Sequence, residues 1–415
     1  ADGADIITAT AGTNNVRLGL DAGTSIASGG NYNTLVGDYA GDALTTGDDN
    51  VAVGYGALSA EDANGRNVAI GYESLNSLNA GADGENVAIG YRAGKSLTTG
   101  IMNTLVGTQA GDALTDADYN TVVGRNAMSN DTKGNRAVAV GYGALVNQNF
   151  TSSTDNYNVA MGFNAGEQIT TGKDNTLIGG LAGDALSIGE LNVAVGRSAL
   201  SLDGVGSRNT AVGYFTLGNQ QAPTGGGANA LYNTAVGYGA GSAITTGYYN
   251  TVIGAEAGDG FDDARYNVAV GMRALSANTA DYNVAVGYQA LKDNNGNGQN
   301  TAIGGDCLKS STSGQNNTGV GVFVFGNQDV TGQFNTGIGY AAGFNMTSGS
   351  NCTFLGTDAG RSGSPGGQHT TGSNSVVIGD ENVANIYAQV SVTATSDERD
   401  KTDFTPLNLG LDFVN

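Results

Sequence analysis

The chain has 415 residues with 69 glycines, 3 prolines, no tryptophan and 13% charged residues, which fits neither an ordinary globular composition nor collagen with its strict glycine triplets and abundant proline. A hydrophobic content of 39% leaves enough to bury and excludes a disordered chain. The 38 acidic against 17 basic residues, net −21, repel a phosphate backbone, so no nucleic acid is expected as a partner; no apolar run reaches the roughly 18 residues of a membrane helix, so no membrane insertion is expected either.

In chain order, residues 1–14 open with Ala1-Asp2-Gly3-Ala4-Asp5, which carries neither a Met nor a signal-peptide pattern and reads as a connection to an upstream part. From Asn15 the chain repeats itself, as in NTLVGDYAGDAL, NVAVGYGAL, NVAIGYRAG and NTAVGYGAG. Each copy can be indexed by the glycine that follows an apolar triplet, from Gly19, Gly37, Gly54 and Gly71 to Gly339, Gly356 and Gly379. There are 21 such glycines, and 13 of the 20 intervals between them are 17 residues. A unit this short cannot enclose a core alone, but it can stack on identical neighbours as one coil of a solenoid.

Alternating β-branched residues bounded by Asn and Gly, such as Thr34/Val36, Val51/Val53 and Val68/Ile70, predict one short β-strand per coil. The fold class is therefore an all-β parallel β-solenoid over residues 15–379. The glycine at the strand end suits a corner that needs positive φ or the close approach of the next coil. Four residues before it an Asn recurs in 18 of 21 copies. Stacking would set these amides in a ladder, through Asn33, Asn50, Asn67, Asn86, Asn103, Asn120, Asn158, Asn175, Asn192 and Asn209. At Asn351 and Asn374 the Asn sits one place early, which predicts local bulges. With the first and third strand residues pointing inward, the middle ones (Ala52, Ala69, Ala88, Leu105, Val122, Ala139) face outward. Both faces are then apolar, and a further copy of the chain is the expected cover.

A second period overlies the first. AGDAL at Ala40, Ala110 and Ala182, and AGDGF at Ala257, follow every fourth index glycine, and the long intervals of 19, 21, 24 and 23 residues fall on the same count. The long connections Leu75 to Glu85, Leu145 to Tyr157, Leu217 to Tyr232 and Gly360 to Asn374 differ from one another while the coils do not, so receptor contact is expected there. The candidate residues are Asn76, Asn147, Asn149, Gln220, Gln221, Asn229, Gln368 and His369. Tyrosines recur after the index glycine (Tyr55, Tyr72, Tyr91) and before the ladder Asn (Tyr32, Tyr119, Tyr266), where they pack between coils or present rows for sugar rings. Asp42, Asp112, Asp184 and Asp259 recur once per four coils and are expected in corner or helix-start hydrogen bonds rather than on calcium, because GGxGxD repeats are absent. His369 is the single histidine, so no zinc site, no other metal and no cofactor is expected. Cys307 and Cys352 lie three coils apart, ~14 Å at ~4.8 Å per coil, which predicts buried free thiols rather than a disulfide.

The units NVAVGYGAL, NVAIGYRAG and NTAVGYGAG resemble the NxVAIG head repeats of trimeric autotransporter adhesins, and similar repeats occur in bacteriophage tail fibres. This resemblance implies a left-handed parallel β-roll in a homotrimer. After a linker or strand at 380–395, Thr395-Ser396-Asp397-Glu398-Arg399-Asp400-Lys401-Thr402-Asp403 resembles the start of the intramolecular chaperone that ends many tail fibres and endosialidases. By that resemblance, residues 396–415 begin the chaperone, and Ser396 and Lys401 form a self-cleaving dyad in which the amine deprotonates the hydroxyl. No other enzymatic activity is expected. The resemblance implies a virion or extracellular fibre that reaches a host cell-surface glycan or protein receptor, with itself and other fibre or virion proteins as partners. The alternatives are a bacterial surface adhesin or extracellular filament of the same fold and, third, a glycan depolymerase tailspike.

Overall fold

A computed structural model describes residues 11–223, 229–295, 298–326 and 329–387. Ser396 and Lys401, and with them the whole of 396–415, lie outside the described residues. Twenty-one three-residue strands, from Val16–Leu18 to Val376–Ile378, each end one residue before an index glycine and join in a single 21-stranded sheet. Every strand pairs in parallel with the next without offset: Val51 faces Val68, Ala52 faces Ala69 and Val53 faces Ile70. Among the described residues there is no helix. The protein is thus a parallel β-solenoid with one coil per index glycine, as the repeat predicts.

Beyond the strand each coil is turns, and those turns are hydrogen-bonded to the coils on both sides. The Tyr39 N–H donates to the Leu20 carbonyl at 2.8 Å on one side, and the Gly41 N–H to the Ala57 carbonyl at 2.9 Å on the other. No coil could satisfy its own backbone alone. At two of the long loops a second short ladder forms, Gly134–Asn135 with Thr154–Asp155 and Gly206–Ser207 with Asn229–Ala230. The solenoid unit runs to Asp380, and the described residues after it, 381–387, hold no strand.

Both reasons for the index glycine apply. At Gly196 φ is +131°, and a Cβ there would lie 2.3 Å from the Gly213 carbonyl oxygen of the next coil. The same collision, with the next index glycine, recurs at Gly54, Gly71, Gly90 and Gly141. A side chain would be strained by the dihedral and blocked by backbone that cannot yield.

The strand faces are the reverse of the sequence expectation. The middle residues Ala52, Ala69, Ala88, Leu105, Val122 and Ala139 are fully buried inside their own coils, while their flanking residues are half-buried or exposed. The interior decides the direction: a coil this narrow holds the small middle residue together with the buried alanine three places after the index glycine, as with Ala52 and Ala57. The β-branched residues that flank it stand outside. Ala139 is therefore not a subunit contact.

The Ala-to-Leu switch of the four-coil period follows from the same volume limit. Where the fourth residue after the index glycine is Leu (Leu58, Leu75, Leu145, Leu200), the middle strand residue is Ala, and where the middle residue is Leu (Leu35, Leu105, Leu177), that fourth residue is Gly (Gly41, Gly111, Gly183). Gly94, Gly166 and Gly241 follow Ala88, Ala160 and Ala235 instead, and a Cβ on them would meet Leu75, Leu145 and Leu217 of the preceding coil. A Cβ on Gly41 would meet the Leu35 side chain at 2.9 Å.

The expected bulges are absent. Thr353–Leu355 and Val376–Ile378 keep register with each other, and Cys352 takes the ladder position itself, its N–H donating to Asn335 Oδ1 at 3.0 Å. Asn351 and Asn374 stand in the adjacent outer column and bond each other, Nδ2 to Oδ1 at 2.8 Å. Cys307 and Cys352 are buried free thiols, and burial pushes the Cys307 thiol up to about 12.

The packing rule makes a prediction. Ala139→Leu should cost about 1–3 kcal/mol by overpacking, and adding Leu145→Gly, which copies the Leu105/Gly111 arrangement, should recover most of it. Urea unfolding of the two variants checks this; equal instability of the single and double variants would refute the exchange.

Candidate functional site

The residue before each ladder Asn adopts the left-handed conformation whatever its type: φ is +59° at Tyr32, +58° at Met102, +59° at Leu191 and +59° at Tyr266. This conformation costs a non-glycine residue roughly 1–2 kcal/mol, and it persists because the amide column beside it fixes the turn. Asn33, Asn50, Asn67, Asn86, Asn103, Asn120, Asn158, Asn175, Asn192 and Asn209 are all buried. Each side-chain carbonyl accepts the backbone N–H of the next column residue, Asn50 to Asn33 at 2.9 Å and Asn192 to Asn175 at 3.1 Å. The side-chain NH2 donates to a backbone carbonyl of the following coil, as from Asn33 to Gly47 at 2.8 Å. Ala137 interrupts the column, and Asn156 replaces the missing amide by accepting the Asn158 N–H at 2.9 Å.

Sequence reasoning missed a second polar column. Seven residues after the index glycine the side chain points inward and is apolar in ten coils (among them Leu44, Leu114, Ile169 and Phe261) and a buried polar residue in others, such as Glu61 and Asn278. At the roots of two long loops it is instead Asp131 followed by Gln148, and Asp203 followed by Gln220. Asp131 Oδ2 accepts Gln148 Nε2 at 2.6 Å, its Oδ1 accepts the Phe150 and Gly134 N–H at 2.9 and 3.2 Å, and Gln148 Oε1 accepts Asn158 Nδ2 at 2.9 Å. Asp203, Gln220 and Asn233 repeat the arrangement, with 2.6 and 2.9 Å for the two side-chain bonds. Its signal in the sequence is an Asp and a Gln at the same coil position in successive coils, recurring 72 residues later.

This corrects one receptor candidate. Gln220 is fully buried and fastens its loop to the ladder, so it cannot touch a receptor. The others are not brought together, because they sit on four separated coils. Asn76 spends its amide on the Gly56 carbonyl and Ser59 Oγ, and Asn147 lies in a row with Asn130 and Gln168. Asn149, Gln221 and Gln368 are exposed. His369 is half-buried, edge-on to the buried Phe354 ring at 5.8 Å between centroids. Asn229 borders a cavity of about 300 Å³ with Leu231, Tyr248 and Tyr249.

The repeated left-handed turn aligns the tyrosine rings of the outer column. Tyr232, Tyr249, Tyr266 and Tyr282 stack at centroid distances of 5.2, 5.4 and 4.9 Å, and Tyr55, Tyr72 and Tyr91 form a second row at 5.2 and 5.4 Å. Inner rings of a row spend their faces on one another and show solvent only edges and hydroxyls. Asp42, Asp112, Asp184 and Asp259 each keep one buried carboxylate oxygen without a hydrogen-bond partner, while the second oxygen of Asp112 accepts Gln109 Nε2 at 3.3 Å. Burial raises all four carboxyls above the ordinary range. Among the described residues no three His, Cys, Asp or Glu side chains gather as a metal site would require.

Comparison with known protein families, with curated proteins and with solved structures finds no match.

Burial also raises the Asp131 and Asp203 carboxyls above the ordinary 3.8, against the pull of Gln148, Gln220 and the backbone donors. A raised native value means the folded chain holds the proton more tightly than the unfolded one. The contribution to stability is full below pH 3.8 and is lost as the pH rises through the native value. The difference in unfolding free energy between the native sequence and Asp131→Asn/Asp203→Asn should therefore shift toward the variant as the pH is raised. Urea titrations at several pH values check this, and a pH-independent difference would count against it. At neutral pH each substitution should also cost about 1–3 kcal/mol, since an amide cannot accept from every donor the carboxylate serves.

Proposed function

We propose that this chain is a structural, receptor-binding fibre of the phage tail-fibre type, acting as a homotrimer at the surface of a virion. The observation that supports this best is the outward face of the sheet. Its third strand residue is apolar in every coil, and Ile70, Ile89, Met161, Ile178, Ile253, Ile303 and Ile338 along it are all exposed. A monomeric protein rarely exposes so long a contiguous apolar stripe.

A cover for it must present apolar groups at the same spacing of ~4.8 Å over some twenty coils. A second copy of this chain has that pitch by construction. Burying the remaining surface of one Val or Ile is worth about 1 kcal/mol per coil, small for a single coil but large over the stack. The number of copies, three, and the viral setting come from the resemblance of the NVAIG-type repeats. A net charge of −21 keeps such rods apart from one another once the stripes are covered. The rigid coils then act as a spacer, and repetition along the rod and across chains turns weak receptor contacts into avidity.

Sedimentation equilibrium and circular dichroism test the assembly. The native chain should sediment as a trimer, and Ile89→Lys/Ile178→Lys/Ile303→Lys should give monomers with the native far-ultraviolet spectrum, because these side chains lie outside the coil. Ala139→Asp, which places a charge inside the coil, should lose the spectrum altogether. A native chain that is monomeric at micromolar concentration would contradict the reading.

A further inference from the structure

The row Tyr232–Tyr249–Tyr266–Tyr282 has two terminal ring faces. Arg208 lies over Tyr232, with its guanidinium carbon 5.6 Å from the ring centroid. At the other end the next coil puts Gln299 in the column instead of an aromatic residue, and Tyr282 is 56% exposed. There the surface opens into a cavity of about 440 Å³ whose lining includes Asp263, Arg265, Asp281, Tyr282, Gln299 and Gln315.

The polar side of this cavity is already organised. Arg265 Nε donates to Asp281 Oδ2 at 3.1 Å, its backbone N–H donates to Asp281 Oδ1 at 2.9 Å, and its Nη1 donates to the Tyr248 hydroxyl at 2.6 Å. The Arg265 guanidinium also stands over the Tyr248 ring, 5.3 Å from the centroid. Gln315 is held by Gln333, Nε2 to Oε1 at 3.0 Å. Groups held in this way lose little freedom when a ligand arrives.

We infer that this cavity is a binding site for a neutral sugar residue of a surface glycan. One aromatic face matches the C–H face of a pyranose, and planar carboxylate, amide and guanidinium groups around it match pairs of neighbouring hydroxyls. Two carboxylates against one guanidinium leave the lining net negative, which repels sialic and uronic acids and admits neutral sugars. The site deepens the receptor reading given above and rests on it. It also differs from the long loops as a location, because it lies between coils of ordinary length.

The test uses the full chain on an array of neutral hexose and N-acetylhexosamine oligosaccharides beside sialylated counterparts, with titration of any bound sugar followed by saturation-transfer NMR. At least one neutral oligosaccharide should bind. Tyr282→Asn, chosen because Asn tolerates the left-handed turn, should weaken it tenfold or more, and Tyr72→Asn, an inner ring of the other row, should leave it unchanged. Circular dichroism verifies that both variants keep the native spectrum. Equal binding by Tyr282→Asn, or binding confined to sialylated glycans, would overturn the site. Binding to no oligosaccharide would overturn it too, while leaving a protein receptor open to the fibre reading, whose assembly is judged separately by sedimentation.

Discussion

The structure depends on a column of glycines that lets each coil lie directly on the next. At the index glycines from Gly19 to Gly339 the backbone takes a φ that glycine tolerates, and the following coil's carbonyl occupies the space a Cβ would need, as at Gly124, where it would lie 2.2 Å from the Gly141 oxygen. That contact sets the pitch. Once the pitch equals the spacing of hydrogen-bonded strands, every other repeated position must interact with its own equivalent one coil away. Asn then meets Asn, Tyr meets Tyr, and middle strand residue meets middle strand residue.

Self-contact of this kind is restrictive. A buried amide is suited to it because it both accepts and donates, so one residue type can satisfy the coil on either side. A buried carboxylate only accepts; at Asp131 and Asp203 a Gln of the next coil and backbone N–H groups at a loop root supply the donors, and at Glu61 the Asn64 and Ala80 N–H groups do. Apolar volume is limited likewise, so Leu in the strand goes with Gly in the following turn and Leu in the turn goes with Ala in the strand. Outside the coil nothing limits size, and the β-branched residues and tyrosines collect there.

Much of this was legible from spacing alone. The index glycines mark all 21 strand ends, and the Asn column was readable because a repeated polar residue in an apolar setting has to find a partner. The facing of the strand was not legible, because Ala and Val alternate in strands such as Val51–Val53 and the Thr that opens others, as at Thr34 and Thr104, is β-branched like Val and suits either face; the interior's narrowness, which only the closed coil reveals, decides it. The role of Gln220 was hidden for a related reason. A Gln beside Gln221, Ala222 and Pro223 reads as loop, yet it occupies the same inward position that Leu and Ile fill elsewhere. The shifted Asn351 suggested a bulge, whereas Cys352 shows that the backbone role of the column survives without an amide. The sugar cavity depends on where a tyrosine row ends, and the recurrence of Tyr before the ladder Asn shows the row but not the cavity at its end.

The most direct measurement compares alanine substitutions at two glycines that differ in backbone conformation and in surroundings. Gly196 lies in the column, with φ of +131° and the Gly213 oxygen in the place of a Cβ, whereas a Cβ on Gly305 would meet nothing within 4 Å. Thermal unfolding of the purified variants should show Gly305→Ala melting like the native chain and Gly196→Ala failing to fold or melting far lower. Equal melting of the two would contradict the claim that backbone contact at the glycine column sets the pitch of the stack.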